Sequence, residues 1–188
     1  MRRKIYDVLF QTRTGMTDLV KQPSLWRSGF YFTLSVGLFS GVVTNTWLVD
    51  LPLSMRLGTV LATVIVTGVA LALYGFLLHG ILETVGALAG DARVLICLLG
   101  YTALPFLLLT PLALLAGKLG LEGLIFLAAI GLVGLLWMLY LLIRSLEVTY
   151  IIDFKRSASI ILFSLLLLYI VFVLPWRIVF NLLWQCWS

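Results

Sequence analysis

Charged residues are scarce in this chain: Asp, Glu, Lys and Arg together supply 11% of its 188 residues. Hydrophobic residues supply 62%, which is more apolar side-chain surface than one soluble core of this size can bury. The composition therefore excludes an ordinary soluble domain and predicts an integral membrane protein.

The residue types that bind metals and cofactors are also scarce, with one histidine and two cysteines in the sequence. One histidine cannot form a bis-histidine haem site, and Cys97 and Cys186 lack the neighbours of a metal cluster or a redox pair. The sequence contains no phosphate-binding glycine loop, nucleophile elbow or HExxH zinc motif. We therefore expect no catalytic residues, no metal and no cofactor.

Long apolar runs are what the chain has in abundance. A helix needs roughly 20 apolar residues to cross a bilayer, and five segments meet this requirement, at about residues 29–49, 57–81, 94–117, 121–143 and 158–176. The loops between them are short, and the flanking segments leave no room for a soluble domain. The sequence predicts an all-α membrane domain over residues 29–180, a bundle of five transmembrane helices.

The thirteen Lys and Arg residues predict the orientation of the bundle, because short cytoplasmic segments accumulate them. With the amino terminus in the cytoplasm, the inner side holds the six in residues 1–28, Arg93 in the second loop and three in the fourth loop. Arg56, Lys118 and Arg177 then lie outside. This division favours a cytoplasmic amino terminus and an outer carboxy terminus. It also explains the net charge of +5 without a nucleic acid partner.

Both ends of the chain are predicted to lie at a membrane surface. Residues 1–28 combine basic residues with apolar side chains at Ile5, Val8 and Leu9, which is typical of a short amphipathic helix in the cytoplasmic interface. The alternative is a frayed tail that stays near lipid through its charge alone. Residues 181–188 are rich in tryptophan and are predicted to form an outer interfacial tail.

Small residues indicate where the helices pack, because in lipid they let two backbones approach closely. The first predicted span carries a small-xxx-small motif at Gly37 and Gly41, and the second carries a stripe of threonines and glycine. We expect these two helices to pack side by side. The fifth predicted span is bulky around Ser164, so it is the helix that we expect to face lipid.

The third predicted span contains two prolines, which bend a helix by removing a backbone donor. Pro105 frees the carbonyl of Tyr101, and Pro111 frees that of Leu107. A freed carbonyl in hydrocarbon needs another partner. The sequence therefore predicts either a kink repacked by Thr102, Thr110 or a neighbouring helix, or a lipid or ligand bound at these carbonyls. Tyr101 itself is expected to be a packed ring.

Four residues at the predicted cytoplasmic edge, called here the polar rim, are His79, Glu83, Asp91 and Arg93. His79 and Glu83 are one helical turn apart and can touch, and Asp91 can cap the third span. Three interpretations are open. In the first, the rim is structural and Arg93 holds a lipid phosphate. In the second, the rim docks a partner or a lipid headgroup. In the third, it is a metal or proton-transfer site, although its ligand set is incomplete.

The order of these motifs resembles the Yip domain family of Ypt-interacting membrane proteins. The resemblance covers the chain from about Lys21 to Phe180. It is carried by Lys21-Gln22-Pro23, Leu78-His79, the glycine-containing loop to Arg93, Leu99-Gly100-Tyr101 with Pro105, Leu136-Trp137 and Arg156-Ser157-Ala158.

The resemblance implies a small membrane protein that acts by binding. Eukaryotic members are trafficking proteins that interact with Rab-type GTPases at the endoplasmic reticulum and Golgi, so a small GTPase partner is implied by resemblance only. The sequence lacks their longer cytosolic region with its Asp-Leu-Tyr-Gly-Pro element. It is more similar to bare-domain prokaryotic members, which implies a bacterial inner membrane.

We expect a non-enzymatic binding, scaffold or assembly module for membrane lipids or another membrane protein. One alternative is a small transporter or the membrane subunit of a larger transport complex, which the kinked third span and the polar stripe of the second suggest. A second alternative is a lipid enzyme with His79 as its base.

Overall fold

The computed structural model describes residues 2–87, 90–173 and 177. The regular structure in these ranges is helical: α1 Arg2–Phe10, α2 Thr12–Lys21, α3 Leu25–Trp47, α4 Leu53–Thr84, α5 Ala92–Tyr101, α6 Leu104–Ala116, α7 Leu121–Tyr150 and α8 Phe154–Leu168. A π-helical turn, Tyr169–Val173, continues α8. The predicted outer tail and the last residues of the fifth predicted span lie outside the described residues.

Four helical segments in the described part are long and apolar enough to cross a membrane: Leu53–Thr84, Ala92–Ala116, Glu122–Tyr150 and Phe154–Val171. They correspond to the second to fifth predicted spans, so the membrane class is confirmed. The first predicted span is α3, which has 23 residues but is not among the four. Serine, threonine and asparagine interrupt its apolar sequence.

The polar residues of α3 lie largely on the side that packs against α4, α5 and α6. Ser28, Ser35 and Thr44 are buried there. The hydroxyl of Ser35 donates to the carbonyl of Tyr31 at 2.7 Å, so a buried polar group is satisfied within its own helix. Lipid therefore does not meet these three hydroxyls, although Thr33 and Asn45 of the same helix are exposed.

Glycines set how closely the helices approach α3. A Cβ at Gly100 of α5 would collide with the side chain of Ser28, so only glycine allows this crossing. A Cβ at Gly37 would lie 3.7 Å from Val64 of α4, which is an ordinary contact. Gly41 borders open space, with nothing within 4 Å of its Cβ position. The first and second predicted spans do pack side by side, but the closest glycine contacts of α3 are with Gly100 of α5 and with Gly117, the residue that ends α6.

The third predicted span is divided into α5 and α6, and the division falls at residues 102–103. Pro105 lies in the first turn of α6, a position where the missing N–H would have had no helical partner anyway. The predicted kink is therefore a break between two helices. Pro111 is accommodated inside α6.

The threonines near the break satisfy different carbonyls from those predicted. Thr102 donates to the carbonyl of Leu99 at 2.7 Å, and Thr110 donates to that of Phe106 at 2.8 Å. The expectation that they serve the carbonyls of Tyr101 and Leu107 is wrong, because a threonine hydroxyl reaches the preceding turn of its own helix most easily.

Helix α8 is not the most lipid-exposed helix, and that expectation is wrong. Residues Ser157, Ile160, Ile161 and Ser164 of α8 are buried, and the Ser164 hydroxyl lies 2.8 Å from the hydroxyl of Tyr74 on α4. Only 6% of the residues in the most apolar stretch of α4 are buried. The share is 22% in the corresponding stretch of α8 and 67% in that of the segment that contains α5 and α6. The α5 and α6 pair is thus the centre of the bundle, and α4 is its most exposed wall.

The amino-terminal residues form a helical hairpin, α1 and α2, that packs on the bundle. Val8 and Met16 are 1% and 0% exposed, in a cluster with Tyr101 and Leu141. A Cβ at Gly15 would lie 2.5 Å from the backbone nitrogen of Val8, so this glycine lets the two helices touch. The alternative of a frayed tail is wrong, because these apolar side chains have a core to enter.

Candidate functional site

The polar rim forms where α4 ends and α5 begins. His79 and Glu83 lie near the end of α4, and His79 Nε2 is 3.2 Å from Glu83 Oε1. The contact predicted from their spacing is therefore present. The Glu83 side chain is 57% exposed and that of His79 is 21% exposed, so the carboxylate faces outward while the imidazole is partly covered.

Tyr150, the last residue of α7, holds the other side of the imidazole. Its hydroxyl lies 2.5 Å from His79 Nδ1, and the residue is 2% exposed. In a neutral imidazole one nitrogen donates and the other accepts. Because the Glu83 carboxylate can only accept, the neutral tautomer that fits both contacts has its hydrogen on Nε2, and Nδ1 then accepts from the tyrosine. Both nitrogens of neutral His79 are therefore engaged.

Sequence reasoning missed Tyr150 altogether. The two partners are separated by 71 positions in the chain, and a tyrosine at the end of an apolar helix has no local pattern that distinguishes it from an interfacial anchor. Only the packing of α7 against α4 and α5 makes the pairing visible.

The loop before α5 supplies the remaining rim residues. A Cβ at Gly90 would collide with the ring of Tyr150, so glycine allows the loop to pass over the residue that holds His79. Asp91 caps α5, because its Oδ1 accepts from the backbone N–H of Arg93 at 2.8 Å; the predicted cap is confirmed. The Arg93 side chain is exposed.

Helix α8 is hydrogen-bonded to the end of α4, next to the polar rim. Arg156 Nη2 donates to the carbonyl of Val85 at 3.1 Å, and Val85 is the residue that ends α4. The last carbonyls of a helix lack partners within it, so this bond both satisfies an end group and holds α8 to α4. The sequence had indicated only a topological role for Arg156.

A second charged cluster lies on α7, beside the amino-terminal hairpin. Arg144 Nη1 is 2.6 Å from Glu147 Oε2, and Arg13 Nε of α2 is 3.9 Å from Glu147 Oε1. The guanidinium of Arg144 also lies over the ring of Phe154, 4.9 Å from its centroid. The three-residue spacing of Arg144 and Glu147 on one helix is a signal that could have found this pair.

The residues predicted for the kink and for packing are outside the polar rim, and they differ in burial. Tyr101 is 5% exposed, and its ring centroid is 5.6 Å from that of Tyr31, so it is a packed ring. Pro105 is buried and Pro111 is exposed. These positions shape the helices, whereas the rim carries the exposed charges of Glu83 and Arg93.

Metal-binding residue types are not gathered in the described part of the chain. Among residues 2–87, 90–173 and 177, no three His, Cys, Asp or Glu side chains come close enough to hold a metal ion. Cys97 is a free thiol that is 2% exposed.

Comparison with known families gives one match, in which the model of the Yip1 domain aligns with residues 6–175. The chain belongs to the Yip1 domain family. This confirms the family suggested by the order of the motifs. The comparisons with curated proteins and with solved structures give no match.

The Yip1 match begins within α1, earlier than the Lys21 boundary expected from the motifs. The amino-terminal hairpin is thus part of the Yip1 domain, in agreement with its burial against the bundle. Three residues of the motifs that suggested the family make specific contacts in the structure. In this Yip1 domain Gly100 permits the crossing of α3 and α5, His79 binds Tyr150, and Arg156 holds the end of α4.

Proposed function

We propose that this Yip1 domain protein is a non-enzymatic scaffold in the membrane, and that its polar rim docks another membrane protein. The observation that carries the proposal is a pair of exposed opposite charges, Glu83 and Arg93, on a corner fixed from several helices. His79 lies between Glu83 and Tyr150, and Asp91 caps α5. A surface that is ordered before binding loses less entropy on association, and its charge pattern selects the partner.

The bonding of His79 favours a structural role in that corner over a catalytic one. A general base needs a free lone pair within reach of the proton that it removes. In neutral His79 the Nδ1 lone pair accepts from Tyr150 and Nε2 faces Glu83. A lipid enzyme with His79 as its base would have to break the bond to Tyr150 first.

The break between α5 and α6 favours binding over transport. Transporters use interrupted helices to expose backbone groups to a substrate cavity. Here Thr102 and Leu104 are 0% exposed and Ala103 is 2% exposed, so packed side chains enclose the break. Transport is therefore the less favoured alternative.

We also propose that α3 is a fifth span and that the amino terminus is cytoplasmic. At 1.5 Å per residue, α3 reaches about 35 Å, enough for the ~30 Å hydrocarbon core. Its buried hydroxyls explain how a less apolar helix can lie in the bundle. The distribution of Lys and Arg supports the orientation, and the bacterial inner membrane is the proposed location, with the endoplasmic reticulum or Golgi for a eukaryotic source.

A small GTPase partner is implied by the family alone, and no residue of this chain is assigned to it. The exposed charges of the rim lie at the predicted edge of the membrane, beside helices that only a membrane protein can reach. We therefore favour an integral membrane protein, or a complex that contains one, as the partner of the rim.

Charge reversal tests the proposal. The wild-type protein is purified from native membranes in a mild detergent, and the retained proteins are identified by mass spectrometry. We expect one defined membrane protein to be retained, and its amount to fall about tenfold, equivalent to roughly 1.4 kcal/mol, in Glu83→Lys and in Arg93→Glu. The control is Lys118→Glu, which reverses an exposed charge in the loop between α6 and α7 and should retain the partner.

Thermal unfolding of each variant shows whether the fold is intact. A partner retained equally by all three variants would contradict docking at the rim. A partner-free monomer from native membranes would contradict the scaffold role itself.

A further inference from the structure

A narrow apolar groove of about 200 Å³ runs between α3, α4 and α5. Each helix contributes a glycine to it: Gly29 from α3, Gly68 from α4 and Gly100 from α5. Phe32 and Ile96 form part of the walls. Ser28 packs against Gly100 and the ring of Phe32 packs against Gly68, whereas the Cβ position of Gly29 faces open space.

The groove is open where Gly29 lies. Nothing is within 4 Å of a Cβ placed on Gly29, and the neighbouring Leu25 is 48% exposed. Since α4 and the segment of α5 and α6 are long and apolar enough to cross a membrane, we expect their outer surface to meet lipid. The groove is therefore accessible from the bilayer.

The size of the groove selects among apolar occupants. A helix with its side chains is about 10 Å across, whereas the walls of the groove touch each other at Phe32 and Gly68 and at Ser28 and Gly100. A partner helix or a second copy of this chain therefore does not fit inside. A single hydrocarbon chain is narrow and flexible enough to enter, and it would meet a mostly apolar lining in which Ser28 is the polar residue.

A cation lies on the same side of α5 as the groove. Arg93, Ile96 and Gly100 are spaced three and four residues apart, which places them along one face of the helix. Arg93 is exposed and lies in the first turn of α5, nearest the predicted cytoplasmic surface. The exposed Trp26 at the start of α3 is of the residue type that favours the headgroup level.

We propose that this groove binds one acyl chain of an anionic phospholipid and that Arg93 binds the phosphate of the same lipid. The lipid would add an apolar contact shared by α3, α4 and α5. This inference goes beyond docking at the polar rim and does not require a protein partner.

The structure offers a matched pair of variants for the test. Gly29→Phe is designed to fill the groove from its open side, where a Cβ has no atom within 4 Å. Gly41→Phe adds the same ring to the same helix, also at a position with nothing within 4 Å, but outside the groove. The probe is a vesicle of equal parts phosphatidylglycerol and phosphatidylcholine, and retained lipid is counted by native mass spectrometry after extraction.

We expect the wild-type protein and Gly41→Phe to retain one phosphatidylglycerol, and Gly29→Phe to retain about tenfold less. Arg93→Gln should still retain lipid but lose the preference for phosphatidylglycerol, whereas Lys118→Gln should keep it. If Gly29→Phe unfolds, Ala72→Phe fills the groove from α4 and replaces it in the comparison.

Equal lipid retention by a folded groove-filling variant and by Gly41→Phe would overturn the acyl-chain site. An unchanged preference in Arg93→Gln would overturn the phosphate contact. The two proposals fail separately, because Gly29→Phe leaves the rim charges in place and Glu83→Lys leaves the groove unfilled.

Discussion

The bond between His79 and Tyr150 can be removed with little other change by Tyr150→Phe. The ring remains, so the packing of Gly90 against it is preserved. The lost hydroxyl leaves His79 Nδ1 without its donor, in a side chain that is 21% exposed. We expect a loss of about 1–2 kcal/mol in the free energy of unfolding, the range for a poorly hydrated group that loses its partner.

Thermal unfolding in detergent measures this loss, with a thiol-reactive dye that reports the exposure of Cys97. The thiol is 2% exposed in the folded protein, and a Cys186→Ser background removes the second site. For a chain of this length 1 kcal/mol lowers Tm by about 2–4 °C, so we expect a decrease of about 2–8 °C. Tyr169→Phe is the control, because Tyr169 is 42% exposed.

A double-mutant cycle with His79→Ala tests whether the two side chains act together. We expect an interaction energy of about 1 kcal/mol, typical of residues in direct contact. Purely additive effects, or a Tyr150→Phe variant that unfolds at the wild-type temperature, would refute the reasoning.

Three further changes test other contacts with the same fold. Gly100→Ala places a methyl group against Ser28 and should lower the free energy of unfolding by about 1–3 kcal/mol. Gly41→Ala should leave it unchanged, so equal Tm values for the two variants would contradict the close crossing of α3 and α5. Ile151→Gly relieves a β-branched residue at a φ of 54° and should raise stability by about 1 kcal/mol, and a lower Tm would argue against strain there. Gly15→Ala should loosen the α1 and α2 hairpin and speed its limited proteolysis, which an unchanged cleavage rate would disprove.

The features that the sequence predicts well are those that depend on neighbours along one helix. Apolar runs long enough to span a bilayer indicated the helices now seen as α4, α5 with α6, α7 and α8. Spacing within a turn predicted the contact between His79 and Glu83, and an acidic residue before a helix predicted the cap at Asp91. Each of these is decided within a few residues, before the helices meet.

The features that it predicts poorly depend on which helix faces which. In lipid the outer surface is as apolar as the interior, so the bulky residues of α8 gave no indication that it packs on α4. Ser164 was the informative residue, since a hydroxyl in an apolar helix needs a partner and finds one in Tyr74. The pairing of His79 with Tyr150 is hidden for the same reason, because only tertiary packing brings them together.

The burial of the amino-terminal hairpin has a consequence for how the protein assembles. Met16 and Val8 contact side chains contributed by α5, α6 and α7, all of which are synthesised later than the hairpin itself. Before α5, α6 and α7 are in place, Tyr31 of α3 is the buried cluster residue outside the hairpin that can cover the apolar side of α1 and α2. The hairpin is therefore made before most of the cluster that buries it, and its complete docking has to wait for Leu141 of α7.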